Sequence, residues 1–207
     1  MIYIKKSVEP HSLMEFREST PDVSYEGLPK DVKDDIRNYL LIEQGYICAY
    51  CMERIDCDST TIEHFIPRST DSSKDLEYGN MLGVCPGNEG SPYNMQTCGC
   101  HRKNAPLTIN PQVRTYIDTI RYSPKGQIVS TVAAINVDMN ETLNLNVSFL
   151  THNRKTALDV LKRELHNRRA TGTWKPLAEK YIAKLSDDGK KRPYYGILLW
   201  YLHSKVR

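Results

Sequence analysis

Six cysteines stand in the chain, at positions 48, 51, 57, 85, 98 and 100. Cys48 and Cys51, in Tyr46-Ile-Cys48-Ala-Tyr-Cys51, are separated by two residues. That spacing lets two thiolates from one tight turn bind a single tetrahedral zinc. It also occurs in dithiol redox motifs, which need a strand before the pair and a helix opening at it. Here the helical pattern precedes the pair, and this sets the redox reading aside. The second half of a zinc site must come from Cys57, Cys85, Cys98 or Cys100. Cys85 follows the apolar segment Met81-Leu82-Gly83-Val84, and Cys98 or Cys100 lies beyond a glycine-rich loop and opens a short predicted helix. Four thiolates from two knuckles make a closed site that stabilises folding and does no chemistry itself. Cys57 reads as a bystander, a small thiol that packs.

Between the two halves runs Thr61-Ile-Glu63-His64-Phe-Ile-Pro67-Arg-Ser69, a polar pair inside an apolar strand. Alternation along a regular strand puts Glu63 and His64 on opposite faces. A lone strand histidine is most often structural. The bracketing cysteines change the weighing, because a zinc would fix the His64 strand against the helix that follows Cys98.

The elements that must hold these residues can be read from periodicity and turn chemistry. Residues 2–6 suggest a short strand. Pro10 to Glu18 and Pro29 to Gln44 read as helices, the second with Val32, Ile36, Tyr39 and Leu40 on one face and Gly45 as its stop. Thr60 to Ile66 is β-branched and reads as a strand. Residues 69–79 and 86–97 read as exposed loops. Ile117 to Val132 reads as a hairpin around Ser123-Pro124-Lys125-Gly126. Helices are predicted over Leu150 to Arg169, Lys175 to Leu185 and Tyr194 to Val206. The expected organisation is an N-terminal extension over 1–45, a zinc-bearing core over 46–115, a hairpin and connector over 116–149, and a helical segment over 150–207.

Composition is ordinary for a globular chain of 207 residues, with 40% hydrophobic and 26% charged residues. No apolar run approaches the roughly 20 residues that span a bilayer, and the start, MIYIKKSVEP, has no signal-peptide core. A cytoplasmic address is expected, where clustered cysteines are metal ligands before they are disulfides. The net charge of +3 conceals an asymmetry. Met1 to Phe149 carry 14 Lys/Arg and 20 Asp/Glu, whereas Leu150 to Arg207 carry 14 and 5. A basic segment behind an acidic front is either a footprint for phosphate or a solvated helical surface.

Taken together, Cys48-x-x-Cys51, Glu63-His64-x-x-Pro67, Glu77-Tyr78-Gly79-Asn80-Met81-Leu82 and the cysteines before His101 resemble the HNH family of ββα-metal nucleases over about residues 46–110. A longer similarity takes in Val84-Cys85-Pro-Gly-Asn-Glu-Gly90, Gln96-Thr97-Cys98, Pro106-Leu-Thr-Ile-Asn-Pro111 and Leu143-Asn-Leu-Asn146 with Arg154 downstream. In these the chain is similar to the HNH subunit of Septu-type anti-phage systems (PtuB), which also occurs as a retron-linked effector. The resemblance implies an α+β fold: a ββα-metal (HNH) core with a structural Zn²⁺, flanked by N-terminal helices and a C-terminal helical segment. It implies metal-dependent hydrolysis of phosphodiester bonds in DNA or structured RNA. The implied partners are nucleic acid, an ABC/SMC-like ATPase of the PtuA type and a retron reverse transcriptase with its RNA–DNA product; a membrane is not among them.

The resemblance also assigns roles. His64 is the general base, with an ordinary pKa near 6.5 that keeps it partly neutral at cell pH. Glu63 and His101 hold a catalytic Mg²⁺ or Mn²⁺. Asn80 holds the loop facing His64 or orients its imidazole. Apart from the resemblance, Arg68, Arg102 and Lys103 flank the site and either grip nucleic-acid phosphate or are idle surface cations. Cys48, Cys51, Cys85 and Cys98 hold the zinc, with Cys100 the alternative fourth ligand. The sequence departs from the family pattern at Glu63, where many members have Asp, and at Gly99, where relatives often have Asp. A zinc-knuckle module that binds nucleic acid or docks a partner without catalysis is the competing reading. In a further reading, compatible with the nuclease, the basic C-terminal helices dock the ATPase and lead the phosphate backbone toward His64, cutting occurs only in the complex, and deletion after Thr171 breaks the docking with the zinc module left folded. Tyr194, Tyr195, Trp200 and Tyr201 are either interface anchors or core.

Overall fold

The computed structural model describes residues 1–167, 174–187 and 189–206. Helix α1 (His11–Ser19) lies against α2 (Lys30–Gln44), whose buried Val32, Ile36 and Leu40 recur one turn apart. Pro29 is the N-cap of α2 rather than its first helical residue. Gly45 ends the helix in the left-handed region (φ 70°, ψ 38°), and a Cβ there would lie 2.6 Å from Lys191 Cγ. A residue with a side chain would meet both penalties.

Two short antiparallel strands follow, β1 (Thr61–His64) and β2 (Met81–Val84), with Glu63 opposite Leu82 and His64 opposite Met81. Ile62 and Met81 pack with Leu13, Val32, Ile36 and Leu40 in a small core under α2, while Leu82 and Val84 enter the main core with the cysteines. The two strand neighbours Glu63 and His64 therefore belong to different sides of the hairpin. Gln44, fully buried, locks α2 to β2: its Nε2 donates to the Ile47 and Gly83 carbonyls (2.9 and 2.7 Å) and its Oε1 accepts from Gly83 N (2.8 Å).

Beyond the loop comes a one-turn helix, α3 (Cys98–Arg102), then α4 (Arg114–Ile117) and a second two-stranded sheet, β3 (Ile120–Tyr122) with β4 (Ile128–Ser130). Helix α5 (Ala133–Val137) runs into a π-helical turn (Asp138–Thr142). Three longer helices complete the described chain, α6 (Ser148–Asn167), α7 (Trp174–Asp187) and α8 (Tyr195–Val206). The fold is mixed α+β with two small sheets. No helix among the described residues is long and apolar enough to cross a membrane.

The main buried cluster runs from Met1 through the cysteines and the hairpins to Leu158, Leu161, Leu165, Ile197, Leu198 and Leu202. The C-terminal helices thus share one core with the cysteine knuckle. Tyr194 N donates to Met52 O (2.7 Å), Gly196 N contacts Met52 Sδ (3.2 Å), and Lys191 N donates to Gly45 O (3.0 Å). Truncation after Thr171, a position outside the described residues, would uncover this face of the knuckle. Tyr194 and Tyr195 are core; Trp200 and Tyr201 are half-buried against it.

Three local expectations change. Residues 2–6 form no strand: Ile4 is buried and its N–H bonds Pro111 O (2.9 Å), but no ladder is built on that contact. The 69–79 loop contains a 3₁₀ turn (Ser72–Lys74) and buries Leu76 and Tyr78. The connector is more helical than its hairpin suggests. The helix predicted to reach Arg169 is described as far as Asn167, and positions 168 and 169 lie outside the described residues.

Candidate functional site

Cys48, Cys51, Cys85 and Cys98 converge. Their sulfurs all lie within 4.8 Å of one another in the interior. Cys48 Sγ is 3.8 Å from Cys98 Sγ, and Cys51 Sγ is 3.6 Å from Cys85 Sγ. These separations exclude disulfides, whose sulfurs are about 2 Å apart. They match the roughly 3.8 Å edge of a tetrahedron with metal–sulfur bonds of about 2.3 Å. Local backbone shapes both knuckles. Met52 takes a left-handed φ of 65°, its N–H returns to Cys48 O (3.1 Å), and Glu53 N–H points at Cys51 Sγ (3.5 Å). On the other side Gly87 (φ 63°) permits Thr97 N to reach Gly87 O (2.9 Å); a Cβ there would sit 2.1 Å from Thr97 O.

Burial works against ionisation at Cys48, but hydrogen bonds from Cys51, Cys85 and Cys98 outweigh it and hold this thiol well below the usual range. Cys51 is pushed above that range by its bonds to Cys48 and Cys85, and Cys98 by burial. Four converging sulfurs in a dry interior suit a thiophilic divalent cation such as zinc, which would hold them as thiolates. Cys100 and Cys57 stand outside the cluster and are half-exposed. Cys98, not Cys100, completes the quartet.

His64 ends β1 and is 8% exposed. Its Nε2 lies 2.8 Å from the Asp75 carbonyl. A carbonyl only accepts, so Nε2 carries the proton and Nδ1 presents its lone pair. Nδ1 has no hydrogen-bond partner among the described residues. Tyr25 packs edge-on against the ring at 4.7 Å. Burial lowers the His64 pKa from its ordinary value, with Asp75 opposing through its carbonyl and its charge. Asn80 secures the segment that follows. Its Oδ1 accepts from Ile66 N (2.7 Å), and its Nδ2 donates to Ile66 O (3.0 Å) and Lys74 O (3.1 Å). The side chain thereby ties the chain just past His64 to the loop that leads to Asp75.

Glu63, on the opposite side of the hairpin, pairs with Arg102 (Oε1 to NH1, 2.7 Å). The Arg102 side chain has no exposed surface. Its NH1 also reaches His64 O (3.2 Å) and Tyr50 Oη (3.3 Å), NH2 reaches Phe65 O (2.6 Å), and Nε reaches Ala105 O (2.7 Å). Arg102, expected at a phosphate-gripping surface, is instead an internal clamp between β1 and α3. Burial raises the Glu63 pKa against the pull of Arg102. A Cβ at position 99 would lie 2.7 Å from Glu63 Oε2, so glycine there gives the carboxylate room to approach α3.

His101 points elsewhere. Its ring stacks on Tyr93 at 4.1 Å, and its Nδ1 bonds Thr142 O (3.0 Å). Glu63 and His101 are thus engaged by different partners. Among the described residues, the cysteine quartet is the one group of three or more His, Cys, Asp or Glu whose ligand atoms converge. A cleft of about 500 Å³ gathers Glu63, His64, Arg68, Asp75, Lys103 and Asn104. Arg68 pairs there with Glu26 and lies over the Tyr25 ring (4.9 Å). Sequence reasoning missed Tyr25 and Asp75. Their residue types and spacing carry no signal, because both reach His64 through tertiary packing.

No protein-family model matches the chain, and no curated protein matches it.

Proposed function

We propose that the chain is an HNH-type endonuclease, the nuclease subunit of an anti-phage complex with an ABC/SMC-like ATPase. The observation that carries this reading is the state of His64: one ring nitrogen is committed to a backbone carbonyl, and the other is an unprotonated acceptor at a cleft bearing Arg68 and Lys103. In hydrolysis Nδ1 takes a proton from water as the water oxygen attacks phosphorus. The bond from phosphorus to the 3′ oxygen then breaks, and that oxygen leaves with a proton from solvent. Lys103 and Arg68 offer positive charge for the phosphate, Arg68 after release from Glu26. The cysteine quartet supplies rigidity when zinc is bound, since it anchors the strands and α3 around one point.

A catalytic Mg²⁺ or Mn²⁺ belongs to the family reading; Glu63 and His101 are the residues that would hold it, and it would supply positive charge for the phosphate. Glu63 is held by Arg102, and His101 is turned to Tyr93 and Thr142. No step is therefore derived through that ion. The pairing of Glu63 with Arg102 favours the second reading, a zinc-stapled module that binds nucleic acid or a partner without cutting. Incubating wild type and His64→Ala with plasmid DNA and structured RNA, with Mg²⁺ or Mn²⁺ and with the ATPase, separates the two. Cutting by wild type that His64→Ala abolishes supports the nuclease. Binding with no cutting under any of these conditions supports the module.

A further inference from the structure

The loop between Cys85 and Cys98 is pinned from several directions. Asn144 Nδ2 donates to Asn94 O (3.0 Å) and Gln96 O (2.9 Å), Gln96 Nε2 to Ser91 O (2.8 Å), and Asn88 Nδ2 to Met95 O (3.2 Å). Asn144 adopts a left-handed φ of 48°, a conformation that asparagine tolerates better than most residues. This scaffolding holds up an aromatic ring that is largely outside. Tyr93 is 56% exposed. One face of its ring rests on the buried His101 at 4.1 Å, 18° from parallel, and its hydroxyl is 3.3 Å from His101 O. His101 is itself fixed by Thr142 O. Lys103 Nζ lies 5.4 Å from the Tyr93 centroid, and the same lysine lines the His64 cleft. Lys103 holds a strained backbone (φ 55°, ψ −119°), of a kind that persists where the surroundings enforce it.

A largely exposed ring, backed by a second ring and overlain at 5.4 Å by a cation that also lines the cleft, has the parts of a base-stacking platform once the flexible lysine swings from the ring to a phosphate. We infer that Tyr93 stacks an unpaired nucleobase while Lys103 takes the adjoining phosphate, so that the strand entering the His64 cleft is single-stranded or locally unpaired. The inference rests on the nucleic-acid reading above and names its substrate class, but it does not require catalysis. Stacking ignores base identity and the 2′ position, so DNA and RNA single strands qualify alike. Duplex bases, already stacked, do not.

The test is fluorescence anisotropy with the zinc-loaded full chain and no added Mg²⁺ or Mn²⁺. The probes are a labelled single-stranded DNA, the matching RNA, the DNA duplex, and a single strand carrying abasic positions. Tyr93→Leu keeps an apolar cover on His101 but cannot stack; Tyr93→Phe can. The expected result is a loss of roughly 5- to 150-fold in single-strand affinity for Tyr93→Leu, near wild-type affinity for Tyr93→Phe, and little change on duplex. Wild type should bind the abasic strand as weakly as Tyr93→Leu binds the intact one. Zinc content and melting temperature of both variants should match wild type. The platform is overturned if Tyr93→Leu binds single strands like wild type, if single strand and duplex lose affinity equally, if wild type binds no single strand, or if Tyr93→Leu only detaches the ATPase. A chain that shows the Tyr93 effect yet never cuts retains the platform and loses the nuclease; a chain that cuts without it does the reverse.

Discussion

The guanidinium of Arg102 and the carboxylate of Glu63 meet at 2.7 Å across the β1–α3 interface, with the arginine side chain wholly enclosed. The fork also satisfies the carbonyls of His64, Phe65 and Ala105. Removing one partner of such a pair leaves a buried charge and several acceptors without donors. Arg102→Ala should therefore destabilise the fold by about 3–5 kcal/mol. Arg102→Lys should recover only part of this, because a single ammonium cannot span acceptors on three sides. Urea denaturation of the zinc-loaded protein measures both; a loss below about 0.5 kcal/mol for Arg102→Ala would mean that the clamp is energetically idle.

Purified protein should contain one zinc per chain by elemental analysis. Cys48→Ser should lose the metal and the cooperative melt together, because structural zinc contributes about 10–16 kcal/mol in comparable sites. Cys57→Ser and Cys100→Ser should retain both, since neither sulfur joins the cluster. A folded Cys48→Ser protein with no metal would remove zinc from the account of stability.

His64→Ala should lower cutting by about 10²–10⁴ while leaving zinc content unchanged. The pH profile follows from the lowered imidazole pKa. The active form is neutral, so the rate should stay level as pH falls from about 8 and decline only below about 6.5. Stability moves the same way. In the window beneath that value the unfolded chain binds the proton more readily than the folded one, so stability drops as pH falls through it and is fully present above it. An acid limb centred above about pH 7 would assign the base to another group.

The basic C-terminal segment should be tested by charge rather than by deletion, because α8 belongs to the core around the knuckle. Lys175, Lys180 and Lys184 are exposed on α7. Reversing all three to Glu should leave the melt unchanged. If they pair with phosphates, it should also flatten the salt dependence of nucleic-acid binding, by roughly one unit of slope for each phosphate no longer neutralised. If they dock the ATPase, co-purification fails while free-chain binding to nucleic acid persists. Neither change would return these helices to a purely structural role.

What the sequence reveals here is what depends on local spacing. Cys48 and Cys51 announce a knuckle, Pro29 and Gly45 bracket a helix, Ser123 to Gly126 mark a turn, and Leu158, Leu161 and Leu165 mark a buried helical stripe. What it conceals depends on distant backbone. Arg102 looks like a surface cation until three carbonyls from two segments are seen to face it. His101 follows the cysteines as a metal ligand would, yet the short α3 presents Gly99 to Glu63 and aims His101 at Tyr93 and Thr142. Residues 2–6 suggest a strand but make only one backbone bond among the described residues, to Pro111, and a strand is a property of two segments. The Leu143 to Asn146 motif becomes intelligible only in three dimensions: Asn144 pins the Tyr93 loop, and Asn146 bonds Ile128 and Arg154.

Cys48 and Cys98 are 50 positions apart in the chain and 3.8 Å apart in space. A metal ion joining them closes a loop that contains both strands of the first hairpin and His64. Closing a loop of that length restricts the unfolded chain by on the order of 4 kcal/mol if it behaves like a covalent cross-link. The hairpin is thus held less by its few ladder bonds than by a clasp at its root. Protease resistance of the segment between Cys48 and Cys98 becomes a direct gauge of metal occupancy, with chelation opening that segment to cleavage as the cooperative fold is lost.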